Sequence, residues 1–187
     1  MKKVVAFNRR GFTLIEVIVV AAIIAILAGI LVPMIFNQID EAKISRAKGD
    51  IKSLSTAIYS FRKDVGAWPK STADAACNST LLISNGPGLN AATSAALQAQ
   101  QYNVNEVKTF SSQLTNDPGN GCYGNWKGPY IANVDLDPWG NPYLLSTLDI
   151  NTQGVPALIV SAGADGVFNT PRDSATVDSN DIGVRLK

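Results

Sequence analysis

Residues 10–16 read Arg10-Gly11-Phe12-Thr13-Leu14-Ile15-Glu16, and they lead directly into twenty uncharged residues from Val17 to Phe36. As a helix, these twenty residues span about 30 Å, which is the thickness of the hydrocarbon core of a bilayer. The basic residues before them are Lys2, Lys3, Arg9 and Arg10. By the positive-inside rule, this charge keeps the N terminus in the cytoplasm and places the chain after Phe36 outside the inner membrane. The segment therefore predicts a single membrane-spanning helix with an exported domain behind it.

Glu16 puts a carboxylate just inside the apolar segment. On insertion scales an acid at the membrane centre costs about 2.5–3.5 kcal/mol, and somewhat less near the interface. One interpretation is an uncleaved signal anchor whose Glu16 side chain reaches the headgroups. A removable secretory signal fits less well, because such a signal has about 7–15 apolar residues and a small-x-small cleavage site. The apolar run here is longer and ends in no Ala-x-Ala triplet.

The other interpretation rests on residues 10–16, which resemble the processing motif of the type IV pilin superfamily. The resemblance implies that a prepilin peptidase cleaves after Gly11 and removes residues 1–11 as a cytoplasmic leader. Phe12 then becomes the N terminus and carries an N-methyl group. Glu16 would pair with the positive amine of Phe12 from a neighbouring subunit, and residues 12–36 would form the core of a filament.

The chain becomes amphipathic over residues 37–66. Apolar side chains recur every three or four positions, at Ile44, Ala47, Ile51, Leu54, Ile58, Phe61 and Val65. This spacing predicts a helix with one apolar face under a globular head, although a short coiled-coil seam is an alternative. Gly66 supplies a helix stop and Pro69 prevents a restart, so we expect one helix over residues 12–65.

Gly29 and Pro33 interrupt the apolar half of this helix. Pro33 has no N–H for the carbonyl four residues earlier, which belongs to Gly29, and glycine is a weak helix former. We therefore expect a kink or local unwinding between them. A membrane proline whose neighbours satisfy the freed carbonyl is the alternative. The pilin resemblance favours unwinding during filament packing and gives Pro33 a role in assembly.

Residues 67–127 are dominated by Ser, Thr, Ala, Asn and Gly and predict a variable loop region with one short helix at residues 91–101. Cys77 and Cys122 bracket nearly all of this region. An exported location favours oxidation, and two cysteines allow one intramolecular pairing. We therefore predict a disulfide, with two free thiols as the alternative.

The C-terminal part, residues 128–187, carries strand signals. Short extended segments rich in aromatic and β-branched residues lie at 128–131, 143–145 and 156–161. We expect Trp139 and Tyr143 to serve as core and cross-strand packing and not as a ligand platform.

Three parts of the chain together resemble the major pseudopilins of the type II secretion system, the general secretion pathway protein G family. They are the leader with its helix, the stretch from Trp126-Lys127-Gly128-Pro129-Tyr130 to Asp137-Pro138-Trp139-Gly140-Asn141-Pro142-Tyr143, and Ser161-Ala162-Gly163-Ala164-Asp165-Gly166 with Asp181-Ile182-Gly183. The resemblance implies an α+β, type IV pilin-like fold, in which a long N-terminal helix packs on a small, three-stranded antiparallel sheet. It also implies a calcium ion in the last loop. The segments 68–126 and 167–181 are longer than is usual in the family.

The last loop is rich in the oxygen ligands that calcium prefers. Its acids and amides are Asp165, Asn169, Asp173, Asp178, Asn180 and Asp181, at a spacing that does not fit an EF-hand. A solvated acidic turn is the competing interpretation. The family resemblance assigns the ligands to the side chains of Asp165, Asp178 and Asp181 and to the carbonyls of Ala162 and Val167. Asn180 stands where the family has an aspartate.

The composition argues against several function classes. The chain has no histidine, so it can form neither a His-based zinc site nor a Ser-His-Asp or Cys-His catalytic arrangement. Its Gly-rich pieces match neither a P-loop nor a dinucleotide motif, and we expect no enzyme. Sixteen basic and fifteen acidic residues give a net charge of +1, which offers no electrostatic case for nucleic acid.

The predicted function is therefore structural. The resemblance implies a subunit that polymerises through its N-terminal helix into a periplasmic pseudopilus driving type II protein secretion. The implied partners are further copies of the chain, the prepilin peptidase, minor pseudopilins and the inner-membrane assembly platform. Before assembly the chain would cross the inner membrane once, with its head in the periplasm. The alternative is a surface type IV pilus serving adhesion, motility or DNA uptake, and a membrane-tethered periplasmic calcium-binding module is a remote one.

Overall fold

The computed structural model describes residues 11–69, 77–86, 88–119 and 122–187. Its internal contacts divide the chain into two compact units, Met1–Glu41 and Ala42–Lys187. Helix α1 runs from Leu14 to Val65 and contributes residues to both. The predicted leader, except for Gly11, lies outside the described residues.

The N-terminal unit is formed by the apolar part of α1, which is long and apolar enough to cross a membrane. The helix continues through Pro33 without a break. The unwinding expected between Gly29 and Pro33 is therefore not present in the single chain, because proline removes one backbone hydrogen bond and the turns on either side remain intact. The role of Pro33 in assembly stays a prediction.

The amphipathic part of α1 ends where the sequence predicts. Gly66 adopts a positive φ of 78°, and its N–H donates to the Arg62 carbonyl at 2.8 Å. Glycine enters this left-handed conformation without the steric cost of a Cβ, so it ends the helix after Val65. The predicted apolar face is confirmed over its central part, where the buried residues are Ala47, Ile51, Leu54, Ala57, Ile58 and Phe61.

The C-terminal unit contains a five-stranded sheet with the order β2-β1-β3-β4-β5. The strands are β1 (Leu81–Ile83), β2 (Val107–Thr109), β3 (Tyr143–Ser146), β4 (Leu158–Ser161) and β5 (Ile182–Arg185). Strands β3, β4 and β5 are antiparallel neighbours, and β1 pairs antiparallel with β3. Strand β2 runs parallel to β1. The expectation of a purely antiparallel, three-stranded sheet is therefore wrong in strand number and in the direction of one pair.

The two additional strands come from the segment expected to be a loop region. Each is three residues long; β1 covers the edge that β3 would otherwise leave unpaired, and β2 covers the free edge of β1. Between them lies helix α2 (Ala91–Ala99), the predicted short helix, whose N-cap Asn90 side chain accepts from the Thr93 N–H at 2.8 Å. A π-helical turn, Ser111–Thr115, follows β2.

The extended segment expected at Gly128–Ile131 forms no strand. Tyr130 packs edge-on against Phe61 of α1, with 5.4 Å between ring centroids, and against Trp126 at 5.7 Å. Aromatic packing against the helix therefore replaces strand pairing here. Trp139 is half-buried, so its predicted place in the core is also wrong, whereas Tyr143 is buried as predicted.

The sheet separates two hydrophobic cores. Because successive side chains of a strand point to opposite faces, Tyr143 and Leu145 pack with α1 while Leu144 between them packs in the second core. The second core includes Leu97 of α2 and Phe168. The last elements are helix α3 (Thr147–Asn151) and a 3₁₀ turn, Gly163–Asp165, which starts the C-terminal loop between β4 and β5.

Candidate functional site

The first candidate site is the apolar surface of α1, which we call the assembly surface and define as residues 12–36. The most apolar part of the helix is entirely unburied within the chain, and Phe12 is 90% exposed. Its other large exposed side chains are Leu14, Ile15, Val17, Ile18, Val19, Val20, Ile23, Ile24, Ile26, Leu27, Ile30, Leu31, Val32, Met34, Ile35 and Phe36. A surface of this size and polarity needs lipid or other helices around it.

Glu16 lies on this surface together with Phe12, Val20 and Ile24, which line the same depression. Its Oε2 atom accepts a 2.8 Å hydrogen bond from the Thr13 N–H and a 2.7 Å hydrogen bond from the Thr13 hydroxyl. The Thr13 hydroxyl in turn accepts from the Glu16 N–H at 3.4 Å. This reciprocal arrangement is a capping box, and it satisfies donors at the start of α1. Both bonds to the carboxylate end on Oε2.

The predicted cleavage position is accessible. Gly11 and Phe12 are exposed and lie before the first turn of α1. A Cβ added at Gly11 would meet nothing within 4 Å. The peptide bond between Gly11 and Phe12 is therefore not covered by the residues that the structure describes. Residues 1–10 lie outside the described part of the chain. Cleavage and methylation at Phe12 remain predictions.

The predicted disulfide is confirmed. Cys77 and Cys122 are bonded, with their Cα atoms 5.6 Å apart, and both side chains are buried in the core that packs on α1. The bond closes a loop across 45 residues. It therefore holds the whole segment that carries β1, α2 and β2.

The second candidate site is the C-terminal loop, to which the family resemblance assigns a calcium ion. The Asn169 side-chain amide donates to Asp165 Oδ2 at 3.3 Å and to the Val167 carbonyl at 3.2 Å. Asp165 Oδ2 and the Val167 carbonyl oxygen, both from predicted ligands, therefore accept from the same side-chain amide, which carries a partial positive charge. The Asn169 N–H donates to Asp181 Oδ2 at 3.0 Å, and the Thr170 N–H donates to the same oxygen at 2.7 Å. These bonds connect the middle of the loop to its C-terminal end.

Asp181 is the most buried of the predicted ligand side chains, at 7% exposed. Its other oxygen, Oδ1, is buried and accepts no hydrogen bond. Burial raises the pKa of the Asp181 carboxyl and the nearby Asp165 adds to this effect, while the hydrogen bonds from Thr170 and Asn169 oppose it. A buried carboxylate oxygen without a donor is a position that a cation can occupy.

The remaining predicted ligands are less closely gathered. Asp178 Oδ1 accepts from the Asn180 N–H at 3.1 Å, and both residues are exposed. Ala162 is buried at the end of β4. Within the described ranges, no three Asp, Glu or Cys side chains meet closely enough to hold a metal by themselves. Any ion here would need backbone carbonyls in addition to the carboxylates, as the family resemblance implies.

Comparison with known proteins places the chain in a family. The model of the type II secretion system protein G family matches residues 91–180, and the prokaryotic N-terminal methylation motif matches residues 6–32. The type II secretion system core protein G of Pseudomonas aeruginosa is 34% identical over 161 residues, which cover 85% of this chain and 86% of the relative. The chain belongs to the protein G family of the type II secretion system.

A second core protein G and a type IV pilin also match this chain. The core protein G of Escherichia coli is 29% identical over 166 residues, which cover 89% of each chain. A type IV major pilin, PilA of Myxococcus xanthus, is 48% identical over 61 residues, but these cover 32% of this chain and 28% of the pilin. Protein G relatives therefore match nearly the whole chain, whereas this pilin matches one part of it.

One contributor to the C-terminal loop was missed by sequence reasoning. Thr170 is fully buried, donates its N–H to Asp181, and accepts from the Asp178 N–H through its hydroxyl at 3.0 Å. Threonine in a polar loop carries no sequence signal for such a role. Its contribution appears only when the two ends of the loop are brought together.

Proposed function

We propose that this protein is a structural subunit that polymerises through its assembly surface into a periplasmic pseudopilus of the type II secretion system. The observation that carries this proposal is the unburied apolar surface of residues 12–36, which bears one carboxylate near its start. In a lipid-facing anchor that acid would serve only to cap the start of α1, whereas in a helix that leaves lipid for a bundle it can also pair with a positive charge. Membership of the protein G family supports the same role.

Assembly begins with removal of the leader by the prepilin peptidase, which frees the amine of Phe12. Thr13 occupies only Oε2 of Glu16, and within the described residues Oε1 accepts no hydrogen bond. The amine of Phe12 from a neighbouring subunit can therefore approach Oε1 without breaking the capping box. Pairing offsets the cost of burying the carboxylate, and an unpaired carboxylate would oppose burial. The pair thus favours one axial register between helices.

Each subunit uses different surfaces to contact the subunits before and after it, so the assembly is an open helical filament. The head, residues 42–187, would remain in the periplasm while the helices form the filament core. The minor pseudopilins and the inner-membrane assembly platform would add subunits at the membrane. Growth and retraction of the filament would drive folded proteins through the outer membrane. The role is mechanical and requires no catalytic residue.

The C-terminal loop would hold calcium. Two features support this site: the convergence of Asp165 Oδ2 and the Val167 carbonyl on the Asn169 amide, and the unpaired Oδ1 of Asp181. Calcium takes six to eight oxygen ligands in a flexible geometry, so the carbonyl of Ala162 and the side chains of Asp178 and Asn180 can complete the set. The ion would neutralise the carboxylates and order the loop between β4 and β5.

A surface type IV pilus is the second candidate, because PilA of Myxococcus xanthus is 48% identical over 61 residues. The two candidates predict different losses when the gene is deleted. A pseudopilus subunit is needed for release of folded exoproteins, whereas a pilus subunit is needed for surface filaments. Measuring exoproteins in the culture medium and filaments on the cell surface of the same deletion strain separates them.

The experiment that tests the filament proposal is N-terminal analysis of purified filaments by mass spectrometry. The expected result is a polymer whose subunits begin at an N-methylated Phe12. A matched Gly11→Val variant should retain the leader and yield no filaments, because a bulky residue blocks close approach of the peptidase. Filaments whose subunits begin at Met1, or normal processing of Gly11→Val, would contradict the proposal.

A further inference from the structure

The turn between residues 137 and 141 is closed by its own aspartate. Asp137 is 4% exposed, and its Oδ1 atom accepts from the Trp139 N–H at 3.0 Å and from the Asn141 N–H at 2.7 Å. The backbone N–H of Asp137 donates to the Asn141 carbonyl at 2.8 Å. These bonds are sufficient to form the turn, because they fix both of its ends.

Two further groups of the turn reach into the start of the C-terminal loop. Asp137 Oδ2 accepts a 2.6 Å hydrogen bond from the hydroxyl of Ser161, and that hydroxyl accepts from the Gly163 N–H at 3.1 Å. The Asn141 side-chain amide donates to the Gly163 carbonyl at 3.1 Å. The peptide groups on both sides of Gly163 are therefore held by the turn.

Gly163 is also in contact with the far end of the loop. It has a φ of 66°, and a Cβ added there would lie 2.6 Å from the Asn180 carbonyl oxygen. Gly166 lies against the Asn141 side chain, since a Cβ added there would be 3.4 Å from its Oδ1. The loop therefore passes closely between the Asn141 side chain and the backbone of Asn180.

The same turn borders the candidate calcium site. Trp139 lines a cavity of about 430 Å³ together with Ala164 and the residues 178–181. Asp165 lies within the 3₁₀ turn that starts at Gly163, whereas the predicted ligands Asp178, Asn180 and Asp181 lie at the far end of the loop. A shift of Gly163 would move Asp165 relative to Asp181. The hydrogen bonds of the 137–141 turn therefore help to set the distance between Asp165, near the start of the loop, and Asp181, at its end.

We propose that Asp137 and Asn141 are positioning residues that fix the C-terminal loop in its calcium-binding shape. The inference rests on the proposed calcium site. Asp137 acts through Ser161 on the Gly163 N–H, and Asn141 acts directly on the Gly163 carbonyl. Neither residue is itself a ligand. Groups that orient metal ligands in this way commonly change metal affinity by about 10–100-fold when they are removed.

The test is calcium titration of the full-length protein in detergent micelles by isothermal titration calorimetry, combined with melting curves in calcium and in chelator. The test variants are Asn141→Ala and Ser161→Ala, which remove the two links separately. The matched control is Asn151→Ala, because the Asn151 amide also donates to two backbone carbonyls, those of Pro69 at 2.8 Å and Thr147 at 2.7 Å. Asn151 lies on α3 and makes no hydrogen bond to the C-terminal loop, residues 162–181, all of which the structure describes.

The expected result is a rise of at least about tenfold in the calcium Kd for Asn141→Ala and Ser161→Ala, with wild-type affinity for Asn151→Ala. The melting temperature in chelator should change little for Asn141→Ala, while the gain on adding calcium shrinks. Wild-type affinity in both test variants would overturn the positioning role and leave the calcium site standing. If the wild-type protein shows no calcium binding and no gain in melting temperature, both proposals are wrong.

Discussion

Tyr143 of β3 donates its hydroxyl to Asp50 Oδ2 of α1 at 2.9 Å, and this bond joins the centre of the sheet to the helix across 93 residues of sequence. Tyr143 is 1% exposed, while Asp50 is half-exposed and also pairs with Arg46 at 3.7 Å. Burial raises the pKa of the Tyr143 hydroxyl, and the hydrogen bond to Asp50 adds to this. The tyrosine therefore remains a neutral donor at physiological pH.

Tyr143→Phe removes this donor and keeps the ring. We expect a loss of about 0.5–1.5 kcal/mol in the free energy of unfolding, because water can replace the donor at the half-exposed Asp50. Tyr143→Ala should cost about 3–5 kcal/mol because it also leaves a cavity in the core. Urea unfolding of the full-length protein in detergent, followed by circular dichroism, measures both. Equal losses for the two variants would show that the ring contributes nothing beyond the hydroxyl.

The disulfide between Cys77 and Cys122 should contribute strongly to the stability of the head. In the chain-entropy model, closing a loop of 45 residues stabilises the folded state by about 4 kcal/mol. The double variant Cys77→Ser with Cys122→Ser should therefore melt well below the wild-type protein, and adding a reductant should lower only the wild-type melting temperature. A wild-type protein whose melting temperature does not respond to complete reduction would contradict this expectation.

Three features of the fold were predictable from the sequence: the buried face of α1, the end of α1 and strand β4. The apolar spacing from Ile44 to Val65 predicted the buried face of α1, and Gly66 predicted the end of this helix. The branched residues at 158–161 gave β4. These signals work because they repeat over many residues or require a backbone conformation that one residue type adopts easily.

Very short strands, and contacts between residues that are distant in the sequence, were not predictable. Strands β1 and β2 have three residues each, too few to show the alternation that marks a strand, and their pairing depends on contacts with distant residues. Trp139 looks like a core residue by its size, yet the Asp137 turn leaves it half-buried beside the C-terminal loop. The family resemblance assigned the candidate ligands, while the role of Thr170 and the hydrogen bonds of the Asn169 amide are visible only in the folded structure.

An ion pair between half-buried Arg172 and buried Asp149 attaches the C-terminal loop to α3. Arg172 Nε lies 3.1 Å from Asp149 Oδ1, and the Asp149 side chain is 2% exposed. Burial raises the pKa of the Asp149 carboxyl above its ordinary value of 3.8, while the Ser146 hydrogen bond and the Arg172 charge oppose the rise. The pKa of the Asp149 carboxyl is therefore higher in the folded state than in the unfolded state. As the pH rises between these two pKa values, the carboxyl loses its proton in the unfolded state before it does so in the folded state. Asp149 therefore lowers the stability as the pH rises through this window, and its effect is constant above it.

Asp149→Asn should remove this contribution to the pH dependence. We expect the wild-type melting temperature to fall relative to that of the variant as the pH rises from about 4 through the folded pKa, with chelator present throughout. Asp117→Asn is a suitable control, because Asp117 is exposed and an asparagine can still accept from the Gly119 N–H. Parallel pH curves for wild type and Asp149→Asn would contradict the assignment.

Gly163 and Gly154 offer a matched test of the close contact within the C-terminal loop. Both have a positive φ, 66° and 80°, but a Cβ would collide with the Asn180 carbonyl only at Gly163 and would meet nothing within 4 Å at Gly154. In each alanine variant the free energy of unfolding should fall by roughly 1–2 kcal/mol, because alanine is strained in the left-handed conformation. Gly163→Ala should lose clearly more. Equal shifts in melting temperature for the two variants would show that the loop relaxes away from Asn180.

The central claim is that Glu16 serves assembly rather than anchoring, and filament yield from Glu16 variants tests it most directly. Removing one partner of a buried charge pair costs about 3–5 kcal/mol, so Glu16→Ala and Glu16→Gln should insert into the membrane and lose the leader, yet give almost no filaments. Glu41→Ala, which removes an exposed carboxylate of α1 beyond the apolar segment, should assemble normally. The measurement is the amount of subunit that sediments as polymer, relative to the processed subunit in the membrane. Processed Glu16→Ala and Glu16→Gln subunits that form filaments at the wild-type level would contradict the account.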